Sequence, residues 1–374
     1  MLNNLVDPAI LFFFLGLFVG AIRSNLEIPP QVAKFLSLYL LMALGFKGGQ
    51  SLSKAGLGLE GVKVVGCAMV LALLIPALGF LVLRRKVNAF DAAAIGATYG
   101  SVSAVTFIAA SQFVADQGEP AGGYLTVALV LMESPAIIMA VLLASWVRSK
   151  RAADPAAARA SVSVGAAADR AATAVTTADG AVESHADGEV ALARDAVSDG
   201  RVPVDAHGPE PLSFKAVLHE AFTDGAHLLL IGSMVVGFVS GAKGGEVMQP
   251  FTADIFKGLL AFFLLEMGLL VARQLREVRD VGPFLIGFGL VMPLVSAGLA
   301  LTAGSLLRLS VGDLTMLAVL AASASYIVVP AVVRYAIPEA RPSRYFTMAL
   351  AVTFPFNIII GIPLYFALAG ALGT

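Results

Sequence analysis

The chain is poor in charge. Only 14% of its 374 residues are Asp, Glu, Lys or Arg, 58% are hydrophobic, and mean hydropathy is +0.86. A soluble domain carries about 25% charged residues, so this chain has too few polar side chains to face water on all sides. That excludes soluble enzymes and secreted scaffolds. Basic and acidic residues nearly cancel, 25 against 26, for a net charge of -1. No nucleic-acid partner is expected. Cysteine occurs once, at Cys67, which excludes a disulfide framework and a thiolate zinc site. The four histidines, His185, His207, His219 and His227, offer no pair with metal-ligand spacing and a third ligand. No resident metal or cofactor is expected. The glycine-rich stretches lack the Lys-Ser/Thr of a phosphate loop, so nothing points to an enzyme.

What the chain has instead is long apolar runs. A helix crosses a bilayer with about 20 apolar residues, and a closed barrel of short alternating strands is the other spanning solution. The runs are too long and continuous for such strands. Ten of them suit helices: residues 8–22, 30–46, 62–83, 90–113, 124–147, 225–239, 252–271, 283–306, 314–335 and 345–369. Residues 1–7 hold no Lys or Arg and no A-x-A site precedes Arg23. The first run therefore reads as a retained membrane span rather than a cleaved signal.

Residues 149–214 are of another kind, rich in Ala, Asp, Gly and Ser. Such a segment buries too little apolar surface to offset its chain entropy and is expected to be a disordered linker. It separates a first five-helix unit, residues 1–148, from a second, residues 215–374. Lys and Arg near span ends set orientation. Clusters at Arg84–Lys86, Arg148–Arg151, Arg273–Arg279 and Arg334–Arg344 share one side if the termini are outside and the linker is cytoplasmic. Lys47, Lys54 and Lys63 oppose that arrangement. The expected location is the inner cell membrane.

The two halves repeat one another. Asp91, Ser101 and Ser103 recur 222 residues later as Asp313, Ser323 and Ser325. Tyr124-Leu-Thr-Val-Ala-Leu recurs as Tyr345-Phe-Thr-Met-Ala-Leu, Pro135 as Pro355, and Leu-Met-Ala-Leu-Gly45 as Leu-Leu-Glu-Met-Gly268. Five spans per half is an odd number, so the second copy enters the membrane inverted. The expected fold is an all-α integral membrane protein of ten helices, a 5+5 inverted-topology repeat. Transporters of this architecture bind substrate near the midplane, where helices break. Gly100-Ser-Val-Ser103 and Ser323-Ala-Ser325 are the expected breaks, in crossing discontinuous helices 4 and 9. Two half-helix N-termini meeting there would suit a small anion. Serine in a membrane helix also bonds back to its own carbonyls or joins helices; repetition at matched positions favours a site.

Two carboxylates, Glu133 and Glu266, stand inside apolar runs. A charge there costs at least about 2.5–3.5 kcal/mol. Each is a Na⁺ ligand, a protonatable coupling group, or a protonated acid bonded between helices. Pro135 and Pro355 are expected to kink their spans. Asn357 is a candidate lining residue or a helix–helix contact. Asp91 and Asp313 read as N-caps of their helices.

Several runs carry a wider likeness: Leu44-Gly-Phe-Lys-Gly-Gly49, Gly100-Ser-Val-Ser103 with Thr106, Glu133-Ser-Pro-Ala136, Met267-Gly268, Ala321-Ala-Ser-Ala-Ser325, Ile337-Pro338 and Gly361-Ile-Pro363. In these the chain resembles the sodium-dependent bicarbonate symporter family of cyanobacterial type, nearly end to end apart from the linker. The resemblance implies Na⁺-coupled bicarbonate uptake, a homotrimer and a PII-like regulator on the cytoplasmic face. It implies substrate binding by Ser101, Val102, Ser103, Thr106, Ser323, Ala324 and Ser325. Glu133, Tyr326, Glu266, Asn357 and Thr353 are the ion and coupling candidates. The chain is a divergent member. Tyr326 stands where the family has a carboxylate, in Ser325-Tyr-Ile-Val-Val-Pro330, Ala43 stands for a lysine, and Thr353-Phe-Pro-Phe-Asn357 is bulkier than its counterpart.

The leading expectation is thus a secondary-active, Na⁺-coupled symporter of a small anion, bicarbonate first, embedded in the lipid bilayer. A H⁺-coupled carrier of a small carboxylate and a transport-inactive membrane receptor or scaffold are the alternatives.

Overall fold

A computed structural model of the chain describes residues 7–56, 58–152 and 225–372. Among these there is no strand. The elements are α1 (Pro8–Ala21), α2 (Pro30–Ala55), α3 (Leu59–Leu83), α4 (Ala89–Gly100), α5 (Ala104–Asp116) and α6 (Tyr124–Ala152). After the undescribed stretch come α7 (Gly225–Gln249), α8 (Ile255–Gln274), the single turn α9 (Val278–Val281), α10 (Pro283–Leu306), α11 (Val311–Ala322) and α12 (Val328–Ala336). The last element is α13 (Pro342–Leu372), which contains two wide turns, Met348–Thr353 and Asn357–Gly361. Among the described residues, seven helical stretches, counting α4 with α5 and α7 with α8 as one each, are long and apolar enough to cross a membrane, and α1 and α11 are shorter apolar helices. The expected linker lies outside the described residues, except for 149–152, which continue α6.

Local chemistry sets the helix starts. Proline opens α1, α2, α10 and α13, where its missing N–H costs no hydrogen bond. The Asp7 carboxylate accepts from the Ala9 N–H at 2.8 Å and caps α1. Asn88 and Ser310 cap α4 and α11. Asp91 and Asp313, expected in that role, lie one turn further in and do something else. The Asp91 carboxylate accepts from the Arg341 N–H and the Arg344 guanidinium, both at 2.8 Å. The Asp313 carboxylate accepts from the Gly122 N–H at 2.7 Å and the Tyr124 hydroxyl at 2.5 Å. Each therefore pins the first turn of a broken helix to the start of another, α4 to α13 and α11 to α6.

The helices form two groups. In one, α1 packs along α8 and α2 along α7. Both contacts run through small residues four apart: Gly16 and Gly20 against Gly268 and Ala272, and Gly45 and Gly49 against Ser233 and Gly237. A Cβ on Gly49 would lie 1.9 Å from the Met234 carbonyl oxygen, and one on Gly16 2.1 Å from that of Leu265. Only glycine admits so close an approach, the usual way membrane helices associate when lipid removes the hydrophobic drive between them. In the other group, α3 packs on α4 and α6, and α10 on α11 and α13. The α1–α8 and α2–α7 contacts each join a helix before the undescribed stretch to one after it, and the α3–α4 contact before it has a counterpart in α10–α11 after it.

The second apolar run, expected to end at residue 46, continues as helix to Ala55. Its polar residues are held inside the bundle: Lys47 lies over the Phe256 ring at 4.7 Å, and Gln50 donates to the Gly241 carbonyl at 2.9 Å. Gly241 itself has φ +55°, a left-handed conformation that kinks α7 and suits glycine. The helix α6 continues through Pro135. Pro355 sits between the two wide turns of α13. Leu59, Val239, Val247 and Leu306 are over 70% exposed, a placement that is natural against lipid and costly in water.

Candidate functional site

Both expected breaks exist, and they touch. The chain leaves helical geometry at Ser101–Ser103, between α4 and α5, and at Ser323–Ile327, between α11 and α12. Ser101 and Ser323 are extended, with ψ 172° and 162°. Two hydrogen bonds join the breaks. The Ser103 N–H donates to the Ser323 hydroxyl at 3.1 Å, and the Ser325 N–H donates to the Thr98 carbonyl at 3.0 Å.

Each serine has a distinct task. The Ser103 hydroxyl caps α5, accepting from the Thr106 N–H at 3.2 Å and bonding the Thr106 hydroxyl at 2.9 Å. The Ser323 hydroxyl donates to the Leu320 carbonyl at 3.0 Å. The Ser325 hydroxyl accepts from the Val329 N–H at 3.4 Å and so opens α12. Ser101 is the exception. It matches Ser323 in the sequence, but the Ser325 N–H goes to the Thr98 carbonyl instead of to its hydroxyl. Ser101 Oγ and the Tyr326 hydroxyl are buried and make no full hydrogen bond among the described residues, the Tyr326 hydroxyl facing the side chain of Ser103. Orphaned polar groups at 1% and 7% exposure are costly unless something binds them.

Both half-helix N-termini border one cavity of about 90 Å³. Val102, Ser103 and Ala104 line it from the first break, Ser325, Tyr326 and Ile327 from the second. First-turn N–H groups have no intrahelical acceptor and lie at the positive end of the helix dipole. Here two such ends face one space with room for a few waters or a small anion. The other wall is formed by α2, α7 and α8, through Ser37, Leu40, Leu230 and Phe263 among others. The cavity therefore lies between the two helix groups. A larger cavity of about 430 Å³ sits between the same groups, lined by Asp7, Gln112, Asp116 and Gln117 among others. Adjacent residues separate the two spaces: Ile108 and Phe263 line the smaller, Ala109 and Leu264 the larger.

The coupling candidates divide. Glu133, 9% exposed, lines the small cavity and contacts His227 of α7. Tyr326 lines it too. Ala324 is 2% exposed within the second break and outside the lining. Asn357 reaches the break from behind, its amide donating to the Ala322 carbonyl and its oxygen accepting from the Tyr365 hydroxyl, both at 2.9 Å. Thr353 donates to the Gly289 carbonyl at 2.8 Å and bonds the Tyr99 hydroxyl at 2.6 Å, away from the cavity. Glu266 is half-buried on α8 and lines neither cavity. His227 was missed in the sequence because a lone histidine near a span start has no spacing signal. The small residues four apart on α1, α2, α7 and α8 were a signal that spacing alone would have revealed. Among the described residues no group of His, Cys, Asp and Glu could hold a metal ion.

Broken helices meeting between two packed groups of apolar helices define a multi-pass membrane protein with the framework of a transporter. A protein-family model for the Na⁺-dependent bicarbonate transporter superfamily matches residues 8–370, almost the whole chain, and the chain belongs to that superfamily. No curated protein matches the chain.

Proposed function

We propose that the protein is a secondary-active symporter that couples Na⁺ to uptake of a small anion, bicarbonate first, by alternating access. The observation that carries this reading is the cavity at the crossed breaks, where two half-helix N-termini and the orphaned Tyr326 hydroxyl converge, with the orphaned Ser101 hydroxyl buried in the same break. An anion of four non-hydrogen atoms accepts hydrogen bonds at every oxygen, and these groups are donors. Ser101, Ser103 and Tyr326 with first-turn N–H groups would hold it. Glu133 would bind or exchange the coupling cation. Ten membrane passes in a 5+5 inverted repeat are the proposed topology. The α3–α4 contact with its counterpart in α10–α11 and the paired pins at Asp91 and Asp313 support it. In this reading α1, α2, α7 and α8 form the fixed frame, and the helices carrying the breaks move against it. The termini are outside, the linker is cytoplasmic, and the 430 Å³ cavity is the vestibule.

Uptake of labelled bicarbonate into proteoliposomes, under an inward Na⁺ gradient and separately under an inward H⁺ gradient, tests the reading. Flux that needs Na⁺ and collapses without it is expected. Flux driven by the H⁺ gradient alone would replace it with a proton-coupled carrier, and no flux of any small anion would leave the receptor reading.

A further inference from the structure

The ends of α3 and α6 carry a cationic patch that transport of an anion between the breaks does not use. Trp146, the chain's single tryptophan, stands in the last turns of α6 and is exposed. Phe80 of α3, itself buried, meets its ring edge-to-face, with 5.6 Å between centroids and 86° between planes. Two cations from different helices lie over that indole. The Arg84 guanidinium is 5.3 Å from the ring centre and the Lys150 ammonium 4.6 Å. Arg85 and Lys86 follow Arg84 directly and are exposed. We propose that this patch binds the phosphate headgroup of an anionic phospholipid.

The orientation rule asks for basic residues at the cytoplasmic ends of spans, but not for their convergence without a counter-charge. Other cations at helix ends here take a carboxylate: Arg148 takes Glu339, Arg344 takes Asp91 and Arg273 takes Glu27. Among the described residues Arg84, Arg85, Lys86 and Lys150 make no ion pair. An aromatic face attracts cations, and so Trp146 gathers two like charges at one place. An anion seated there offsets their mutual repulsion.

The surroundings select a lipid over a free phosphate. One turn back from the cations on α3, Leu81 and Val82 are about half exposed, and so is Leu142, one turn back from Trp146 on α6. Exposed branched side chains at that depth meet hydrocarbon, and an indole one turn further out sits at headgroup level. Long Lys and Arg side chains at a span end reach the same level. A basic cluster immediately beyond a span is the pattern that attracts anionic lipids. The acidic residues between positions 154 and 210 could offer the charge, but their segment has almost no large apolar side chains to cover Leu81, Val82 and Leu142. A lipid supplies both parts. Both helices belong to the group that carries the breaks, so the bound lipid travels with that group.

Because Trp146 is the single tryptophan, its fluorescence reports on this place alone. The full chain in detergent micelles is titrated with phosphatidylglycerol and, separately, with phosphatidylcholine, each brominated on the acyl carbons nearest the headgroup so that a bound lipid quenches the indole. Phosphatidylglycerol should quench at about tenfold lower mole fraction and saturate at about one lipid per chain, since each nearby cation favours an anionic lipid by about fivefold. In the double variant Arg84→Gln, Lys150→Gln the preference should fall to about twofold or less. Lys63→Gln, at the opposite end of α3, should retain it. If the first double variant does not fold, Arg85→Gln with Lys86→Gln serves, with a partial loss. Equal quenching by the two lipids, the result expected if the acidic segment occupies the patch, overturns the proposal. So does quenching that rises without saturating, which marks a diffuse basic surface, or a preference that survives in the double variant. Displacement of the brominated phosphatidylglycerol by inorganic phosphate would overturn it in favour of a free-anion site.

Discussion

Asp313→Ala should be among the most damaging single substitutions outside the breaks. The Asp313 carboxylate is 6% exposed and accepts two hydrogen bonds, from the Gly122 N–H at 2.7 Å and the Tyr124 hydroxyl at 2.5 Å. Hydrogen bonds to a charged group contribute about 1.5–3 kcal/mol each. The substitution removes both and leaves two donors stranded, one of them on a tyrosine that is only 8% exposed. A loss of about 3–6 kcal/mol follows, two bonds of that size removed together. Tyr124→Phe deletes one of the two bonds and should cost about 1.5–3 kcal/mol. In the double variant that bond is counted once, so the summed single costs should exceed the double by about 1.5–3 kcal/mol. Reversible unfolding in mixed micelles, followed by Trp146 fluorescence, measures all three. Strict additivity, or an Asp313→Ala cost below about 1 kcal/mol, would refute the reasoning. Asp91→Ala, at the position that matches Asp313 in the sequence, gives the internal comparison. It should cost less, because the Arg344 side chain is 24% exposed and can turn to water when its partner is gone.

Gly49→Ala should destabilise by about 1–3 kcal/mol or more, since the new methyl meets a carbonyl oxygen at 1.9 Å and forces α2 from α7. Gly66→Ala, with nothing within 4 Å, should instead stabilise by about 0.4–1 kcal/mol; thermal unfolding of the pair reads both signs. Tyr326→Phe should leave the melting temperature unchanged or higher, because the hydroxyl makes no full hydrogen bond among the described residues, while weakening bicarbonate affinity by about tenfold, the equivalent of one hydrogen bond. An unchanged affinity would remove Tyr326 from the site. Ser103→Ala should cost about 1 kcal/mol through the lost cap of α5 and also lower uptake, read as melting temperature and initial flux on the same preparation.

The sequence made the membrane helices plain because a spanning backbone must satisfy its own hydrogen bonds, which forces long apolar runs. The breaks were legible for the opposite reason: Gly100-Ser-Val-Ser103 and Ser323-Ala-Ser325 interrupt apolar helices at equivalent points of the repeat. What lay out of sight was pairing at a distance. Asp91 and Asp313 read as local caps because a carboxylate in a first turn usually is one; nothing in their own segments pointed to Arg344 or Tyr124 on another helix. The second apolar run read as ending at residue 46 for the same reason, whereas Lys47 and Gln50 find partners on α8 and α7. His227 gave no signal alone and gains meaning only beside Glu133. Thr353 and Asn357, polar residues in an apolar helix, turn out to serve the carbonyls of Gly289 and Ala322.

The most direct test of the central claim is a cryo-electron microscopy structure of the full chain with sodium bicarbonate, compared with one in choline chloride. The account predicts added density between the two breaks, within hydrogen-bond distance of Ser101, Ser103 and Tyr326. Density at another place, or an empty space between the breaks in protein shown to transport the anion, would contradict it.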